Sequence, residues 1–276
     1  MAIQVATTCL DDERVLRQLA VHPVGSRVIQ AVLERRYALH ENLLSTPQQV
    51  ASLSGDPAGM RVVATAVKVS PDGEPFKALW KRVKKCLPDI IAARHFIIPL
   101  AALQRSNPPE EKVLKDLTSF FHGMLSAEYY GLPHLLLASD LFIHPVSGIR
   151  FGPQLLMFFL DDTGMASVPS DTIRSVANTP DGSRVLQHYI TTVASAENTT
   201  RFIRRFRKRL TDLALNEYGS RLLEVLFDAA DGETRGWMEG ELSEGDNLRR
   251  LRGHEIGRIL IGKYKWEHKK YRGGKE

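Results

Sequence analysis

The chain has 276 residues, of which 43% are hydrophobic and 25% charged, and it carries a net charge of +5. That apolar share is enough to bury a continuous core and excludes a disordered chain, and the surplus of cations leans toward a polyanionic partner. Two cysteines, Cys9 and Cys86, make neither a CxxC pair nor a disulfide framework, and no apolar run approaches the roughly 20 residues that a membrane helix needs, so secreted and membrane classes are excluded in favour of a soluble protein from a reducing compartment.

The N-terminus, with its three consecutive acids Asp11, Asp12 and Glu13, does not read as a secretory signal. An amphipathic helix is expected over residues 11–20. It is followed by His22-Pro23-Val24-Gly25-Ser26-Arg27-Val28-Ile29-Gln30, and a weaker version of the same segment starts at Asp56-Pro57 and runs through Gly59-Met60-Arg61. After a turn at 70–75, amphipathic helices are expected over 77–91 and 111–125, with degenerate units near 92–103 and around Gly131. Another weak copy surrounds Gly152-Pro153-Gln154, and full copies return at Thr179-Pro180-Asp181-Gly182-Ser183-Arg184-Val185-Leu186-Gln187 and at Asn216-Glu217-Tyr218-Gly219-Ser220-Arg221-Leu222-Leu223-Glu224. A helix is expected over 200–213 between neighbouring copies. A terminal variant, Gly257-Arg258-Ile259-Leu260, precedes a basic and aromatic stretch from Lys263 to Arg272.

Successive repeat glycines lie 34 positions apart from Gly25 to Gly59, 30 from Gly152 to Gly182, 37 to Gly219 and 38 to Gly257, a scatter that suits helical repeats with variable loops. Within a copy, Asp56, Thr179 or Asn216 is a good N-cap, and Pro23, Pro57 and Pro180 fit the first helical position. Apolar pairs recur four residues apart, as in Val28, Ile29, Val32 and Leu33 or Val185, Leu186, Tyr189 and Ile190, and define one buried stripe. Ser26, Arg27 and Gln30 fall off that stripe and are available for a ligand. The recurrent glycine is expected to let neighbouring helices approach closely. The fold class that follows is all-α, an α-α superhelix or solenoid, with a repeat domain of six to eight units over 1–262 and a basic tail over 263–276.

The block of Gly-Ser-Arg, two aliphatics and Gln or Glu resembles the RNA-facing helix of pumilio (PUF) repeats. The resemblance implies that Ser26 and Gln30 read a base edge while Arg27 stacks on the base, and likewise Ser183 and Gln187 with Arg184, and Ser220 and Glu224 with Arg221. It implies an adenine reader where Gln is present, a guanine reader where Glu is, and an arrangement of these helices on a concave face. Met60, Ala64, Pro153 and Met157 cannot read an edge, which interrupts the series. The terminal segment is similar to the end of the divergent nucleolar, ribosome-biogenesis branch of the family. That similarity implies single-stranded pre-ribosomal RNA as ligand ahead of messenger RNA, ribosome-assembly proteins as companions, and a nuclear, nucleolar location ahead of cytoplasm or an organelle.

The run Arg201, Arg204, Arg205, Arg207, Lys208 and Arg209 reads as a basic helix face, with Arg204, Arg205 and Lys208 as candidate phosphate contacts against a plain solvated face. Lys81, Arg82, Lys84 and Lys85 are a second, weaker run. His22 and His254 read as caps or surface groups, and Asp161-Asp162 as a solvated turn. No metal, cofactor, membrane or small-molecule substrate is expected, because HExxH, GxSxG and Walker-type patterns are absent from the sequence. The reading is a non-catalytic RNA-binding protein; the alternative is a HEAT or armadillo-like scaffold that grips protein within a ribonucleoprotein.

Overall fold

The computed structural model describes residues 12–35, 39–143 and 148–266, and these form two compact units. Of the described residues, the first takes in those up to Met124 and those of the segment Asp140–Phe151, the second Leu125–Ser139 and those from Gly152 on. In the first unit lie α1 (Glu13–Val21), α2 (Gly25–Leu33), α3 (Leu39–Leu44), α4 (Pro47–Ser54), α5 (Gly59–Val69), α6 (Glu74–Lys85), α7 (Leu87–Ala92), α8 (Ile97–Leu103) and α9 (Glu111–His122). The second holds α10 (Leu132–Ala138), α11 (Gly152–Leu156), α12 (Asp162–Ser167), α13 (Ser170–Ala177), α14 (Pro180–His188), α15 (Ala196–Ile203), α16 (Leu210–Ala214), α17 (Glu217–Ala229), α18 (Gly232–Ser243), α19 (Gly245–Arg252) and α20 (Glu255–Tyr264). Among the described residues the only β pairing is an isolated bridge between Ile143 and Arg150.

The helices that carry the repeated motif pack on one another in sequence: α2 on α5 and α5 on α8 in the first unit, α11 on α14 and α14 on α17 in the second. Each is reached through a corner of one design. The N–H of His22, Asp56, Thr179, Asn216 or His254 donates to the carbonyl three residues earlier, that of Leu19, Leu53, Val176, Leu213 or Leu251, at 3.0–3.3 Å. The motif glycine then lies against that same carbonyl. A Cβ added to Gly25, Gly59, Gly182, Gly219 or Gly257 would stand 2.1–2.6 Å from the oxygen, closer than van der Waals contact allows. The expected close approach is therefore real, and it is an approach to backbone rather than to a side chain.

Capping differs between the copies. Thr179 Oγ1 accepts from Gly182 N–H, and Asn216 Oδ1 accepts from both Tyr218 and Gly219, so α14 starts at Pro180 and α17 at Glu217, where the sequence suggests. Pro23 and Pro57, however, do not open their helices. His22 Nδ1 accepts from Val24 and Gly25, and Asp56 Oδ1 from Ala58 and Gly59, the same two positions that Asn216 caps; the first turn there includes three-residue bonds, Arg27 N–H to the Val24 carbonyl at 3.1 Å and Arg61 N–H to the Ala58 carbonyl at 3.2 Å, and the regular helix begins at the glycine.

The stripe of aliphatics is buried in α5, α14 and α17, whose Val62, Val63, Val185, Leu186, Leu222 and Leu223 are all inaccessible. In α2 it is only half so: Ile29 and Leu33 are buried, but Val28 is 51% exposed.

Two expected helices are broken. The segment 77–91 divides at Cys86, because Pro88 sits in the first turn of α7 and disfavours continuing the helix of α6 through the residues before it. The segment 200–213 ends α15 at Ile203, passes through a 3-10 turn at Arg204–Phe206, and restarts as α16 only at Leu210. Lys208 adopts φ +65° there, and the Glu241 carboxylate from α18 accepts from the N–H groups of Lys208 at 2.7 Å and Leu210 at 2.9 Å.

Polar contacts tie the first unit together beneath its helices. Arg105, whose side chain is 4% exposed, donates to the Ser70 carbonyl at 2.7 and 3.1 Å, pairs with Asp72 and Glu110, and lies 4.0 Å over the Phe76 ring. Asp116 on α9 accepts from Trp80 Nε1 at 3.0 Å and pairs with Lys84 at 2.5 Å, both on α6. Burial works against its charge, but the Lys84 and Trp80 donors outweigh that and hold the carboxyl below the usual range.

Gly182→Ala forces a methyl against the Val176 carbonyl and is expected to cost roughly 1–3 kcal/mol of unfolding free energy in urea titration. Gly236→Ala, on α18 with no atom within 4 Å of the new methyl, is expected to be neutral or to stabilise by about 0.4–1 kcal/mol. Equal effects of the two substitutions would show that the corner contact contributes nothing.

Candidate nucleic-acid interface

In the second unit, α14 and α17 bring two of the predicted triplets side by side. Arg184 and Arg221 occupy the same place, two residues beyond the repeat glycine, and both side chains are exposed. Arg184 has no acidic partner among the described residues, while Arg221 makes only a loose 3.4 Å pair with Glu217 on its own helix. One turn further on, Gln187 and Glu224 are half-buried.

The serines sit deeper than the resemblance implies. Ser183 is 2% exposed, and its hydroxyl donates to the Tyr218 carbonyl of the next motif helix at 2.8 Å while accepting from Gln187 Nε2 at 2.9 Å. Ser220, 7% exposed, donates to the Glu217 carbonyl at 2.9 Å. In the first unit Ser26 is likewise buried and donates to the Pro23 carbonyl, Gln30 Nε2 reaches the Ser26 carbonyl at 3.1 Å, Thr65 of α5 donates to Gln30 Oε1 at 3.4 Å, and Arg27 is exposed. The exposed chemistry of each step is thus a guanidinium plus an amide or carboxylate, with the hydroxyl spent on backbone. Glu224 is also engaged: Lys263 Nζ of α20 lies 2.9 Å from its Oε2.

The weaker copies keep part of the pattern. Arg61 is exposed on α5 at the place of Arg184, whereas Met60 is half-buried and Ala64 is buried; on α11, Pro153 is buried and Met157 is exposed.

The basic run on α15 and the turn beyond it divides sharply. Arg204 is exposed, and Lys208 is exposed beside its bound peptide N–H. Arg205 is not a surface cation at all. Its guanidinium donates to the carbonyls of Met165 at 3.3 Å, Ala166 at 2.5 Å and Val168 at 2.7 Å, so it caps the end of α12, and burial draws its pKa below the ordinary arginine value. The phosphate contact expected of it gives way to this structural role, because its guanidinium donors are already taken by backbone acceptors. None of the three lies on a motif helix.

His22 is a cap, as expected, whereas His254 occupies an N-cap position without a side-chain bond. Asp161 and Asp162 are more than solvated: Asp161 caps α12 through Gly164 N–H, and Asp162 accepts from Tyr189 Oη at 2.9 Å. A hydrogen bond from the Asn198 side chain, with help from Tyr189, keeps the Asp162 carboxyl below its ordinary range. Lys263 and Tyr264, expected in the tail, belong to α20, Lys265 is its C-cap and Trp266 is buried beside them; residues 267–276, like Cys9, lie outside the described residues. Among the described residues no group of His, Cys, Asp and Glu is arranged to hold a metal ion, and no helix is long and apolar enough to cross a membrane.

Residues 152–259 match the NOP9-like PUF repeat domain, and residues 16–36 match the Pumilio-family RNA binding repeat. The chain is an all-α protein built from pumilio-type helical repeats. It resembles Nucleolar protein 9 of Arthroderma gypseum, with 24% identity over 327 residues that take in 89% of this chain and 46% of the relative. The chain therefore spans about half the length of the curated relative it matches. Similar folds are APUM23-GGAGUUGACGG, at a TM-score of 0.75 and 20% identity over 95% of this chain and 54% of the other, and PUF-8 in complex with PBE-RNA, at 0.63 and 18% over 95% and 73%. Puf4 T650C/C724R bound to the Cox17 RNA 3′ UTR recognition sequence scores 0.58 at 14% identity, over 97% of this chain and 88% of the other. At these identities the likeness concerns the fold.

Arg205→Ala strands the carbonyls at the end of α12 and is expected to cost about 1–3 kcal/mol of stability. Arg204→Ala, fully on the surface, is expected to leave the thermal midpoint in place, and calorimetry of the two variants checks the division.

Proposed function

We propose that this chain is a non-catalytic RNA-binding protein of the pumilio-repeat type that holds single-stranded pre-ribosomal RNA during ribosome assembly, and does so in the nucleolus. The observation that carries the reading is the ladder of exposed arginines. Arg184 and Arg221 stand at one helical position on packed neighbours, each with an amide or carboxylate one turn on, and Arg27 with Gln30 repeats the arrangement on α2. A guanidinium plane stacks on any base, whereas an amide or carboxylate discriminates between edges.

A base inserted at each step would lie against the arginine and meet Gln187 or Glu224 along its edge. On α5 and α11 the edge reader is lost, so contacts there would be tolerant of sequence. Arg204 and Lys208 remain candidates for phosphate attraction, which would give the affinity a salt dependence. The match of residues 152–259 to the NOP9-like domain and the likeness to Nucleolar protein 9 favour pre-ribosomal over messenger RNA, and ribosome-assembly proteins as companions. Both point away from an enzyme.

Crosslinking in cells, with sequencing of the bound RNA and mapping of the attached peptides, tests this. Peptides covering 183–187 and 220–224 joined to pre-ribosomal RNA support the reading; a stable protein partner with no RNA above background replaces it with a protein-binding scaffold. In vitro, Arg184→Ala and Arg221→Ala are each expected to weaken binding to single-stranded RNA by about 1–3 kcal/mol while the protein stays folded. Unchanged affinity in both variants rejects the arginine ladder.

A further inference from the structure

Glu224, like Gln30, is met by a side chain from the next motif helix, but here that side chain is a cation. Lys263 Nζ on α20 lies 2.9 Å from Glu224 Oε2, and both side chains keep access to solvent, at 48% and 35% exposure. The contact is not a chance meeting of long side chains. Phe227, three residues beyond Glu224 on α17, stacks with Tyr264 at a centroid distance of 4.8 Å and packs against Trp266 at 5.6 Å, and Tyr264 and Trp266 stack on each other. Lys263 is the residue before Tyr264, and its ammonium lies 5.4 Å over that ring. The end of α20 is therefore clamped to α17 next to Glu224. The hydrogen bond to the carboxylate in turn raises the affinity of Lys263 for its proton, which keeps the ammonium charged at this place.

Resting on the reading of this face as an RNA-binding one, we propose that Lys263 is a specificity-determining residue that makes, together with Glu224, a two-residue reader of guanine. Guanine presents the O6 acceptor beside two donors, N1–H and N2–H, along one edge. A carboxylate can accept from the two donors, and an ammonium with one of its three N–H groups given to the carboxylate has two left for O6. Adenine presents N6–H2 where guanine presents O6, which sets donor against donor at Lys263. A carboxylate alone would accept from adenine N6–H2 and would discriminate less. Uracil offers O4 to the ammonium and N3–H to the carboxylate but sets its second acceptor, O2, against the other carboxylate oxygen, so it satisfies only part of the site. The ordering at this step is guanine first, uracil second, and adenine and cytosine last. Lys263 also cancels the charge of Glu224, which relieves repulsion from the phosphate backbone.

The test uses the full chain and a random-sequence single-stranded RNA pool, selected separately on wild type, Glu224→Gln, Lys263→Met and Lys263→Arg, followed by affinities for selected RNAs with the one base exchanged. The expected result is a single position at which wild type prefers guanine, which Glu224→Gln alters. At that position Lys263→Met is expected to lower the preference for guanine over adenine by about tenfold, the size of one good base contact, while Lys263→Arg retains it. Preferences elsewhere stay as they are. Lys263→Met that keeps the guanine preference in full overturns the proposal, and so does a uniform loss of affinity for every RNA with a shallower salt dependence, which would make Lys263 a phosphate contact. A wild-type protein that selects no RNA at all overturns instead the RNA-binding reading beneath it.

Discussion

A single carbonyl at each corner governs the architecture. The oxygen of Leu19, Leu53, Val176, Leu213 or Leu251 takes the N–H of the residue that turns the chain and lies against the glycine in the first turn of the next helix. Both contacts are needed. The hydrogen bond ends the first helix, and the missing side chain lets the second start within van der Waals distance of the place where the first stopped. Each motif helix then leaves its corner under a backbone constraint, and in α5, α14 and α17 the aliphatic stripe beyond the arginine is buried. Burial of Val62, Val185 and Leu222 follows from that geometry and supplies the apolar contact that holds one motif helix on the next.

This regularity is why the fold could be read from the sequence. Gly-Ser-Arg followed by two aliphatics is a pattern of local origin: the glycine serves the corner, the aliphatics serve the stripe, and the arginine falls on the remaining face. The broken helices were not legible in the same way. Residues 200–213 have good helical periodicity, and what interrupts them is Glu241, which comes from α18 and takes two peptide N–H groups in the turn. Arg205 looks like its neighbours in the sequence and is distinguished only by the three carbonyls that the end of α12 brings to it. The starts of α2 and α5 at the glycine were hidden too, since Pro23 and Pro57 stand where Pro180 does and His22 and Asp56 cap the same two positions as Asn216.

The candidate site was legible to a similar depth. Its exposed members, Arg27, Arg184 and Arg221 with Gln30, Gln187 and Glu224, stand where helical spacing puts them. The burial of the serines was hidden because it depends on how deeply the first turn of a motif helix sinks beside its neighbour, which no count of positions expresses. Lys263 was hidden for a different reason. In the sequence it opens a basic stretch, and only the aromatic clamp formed by Phe227, Tyr264 and Trp266 draws it out of that stretch and onto α20 beside Glu224.

The bond from Ser183 to the Tyr218 carbonyl sets apart two kinds of residue on this face. Arg27, Arg184 and Arg221 lean outward from the scaffold, so drift can exchange them singly without changing the packing beneath. Ser183, by contrast, is a splice between consecutive helices, whereas Ser26 and Ser220 bond back to their own first turn, and replacement of Ser183 is felt first in the packing. A lineage of such chains is free to wander in its outward chemistry while this splice stays fixed, which makes Ser183 a marker of register between its two helices.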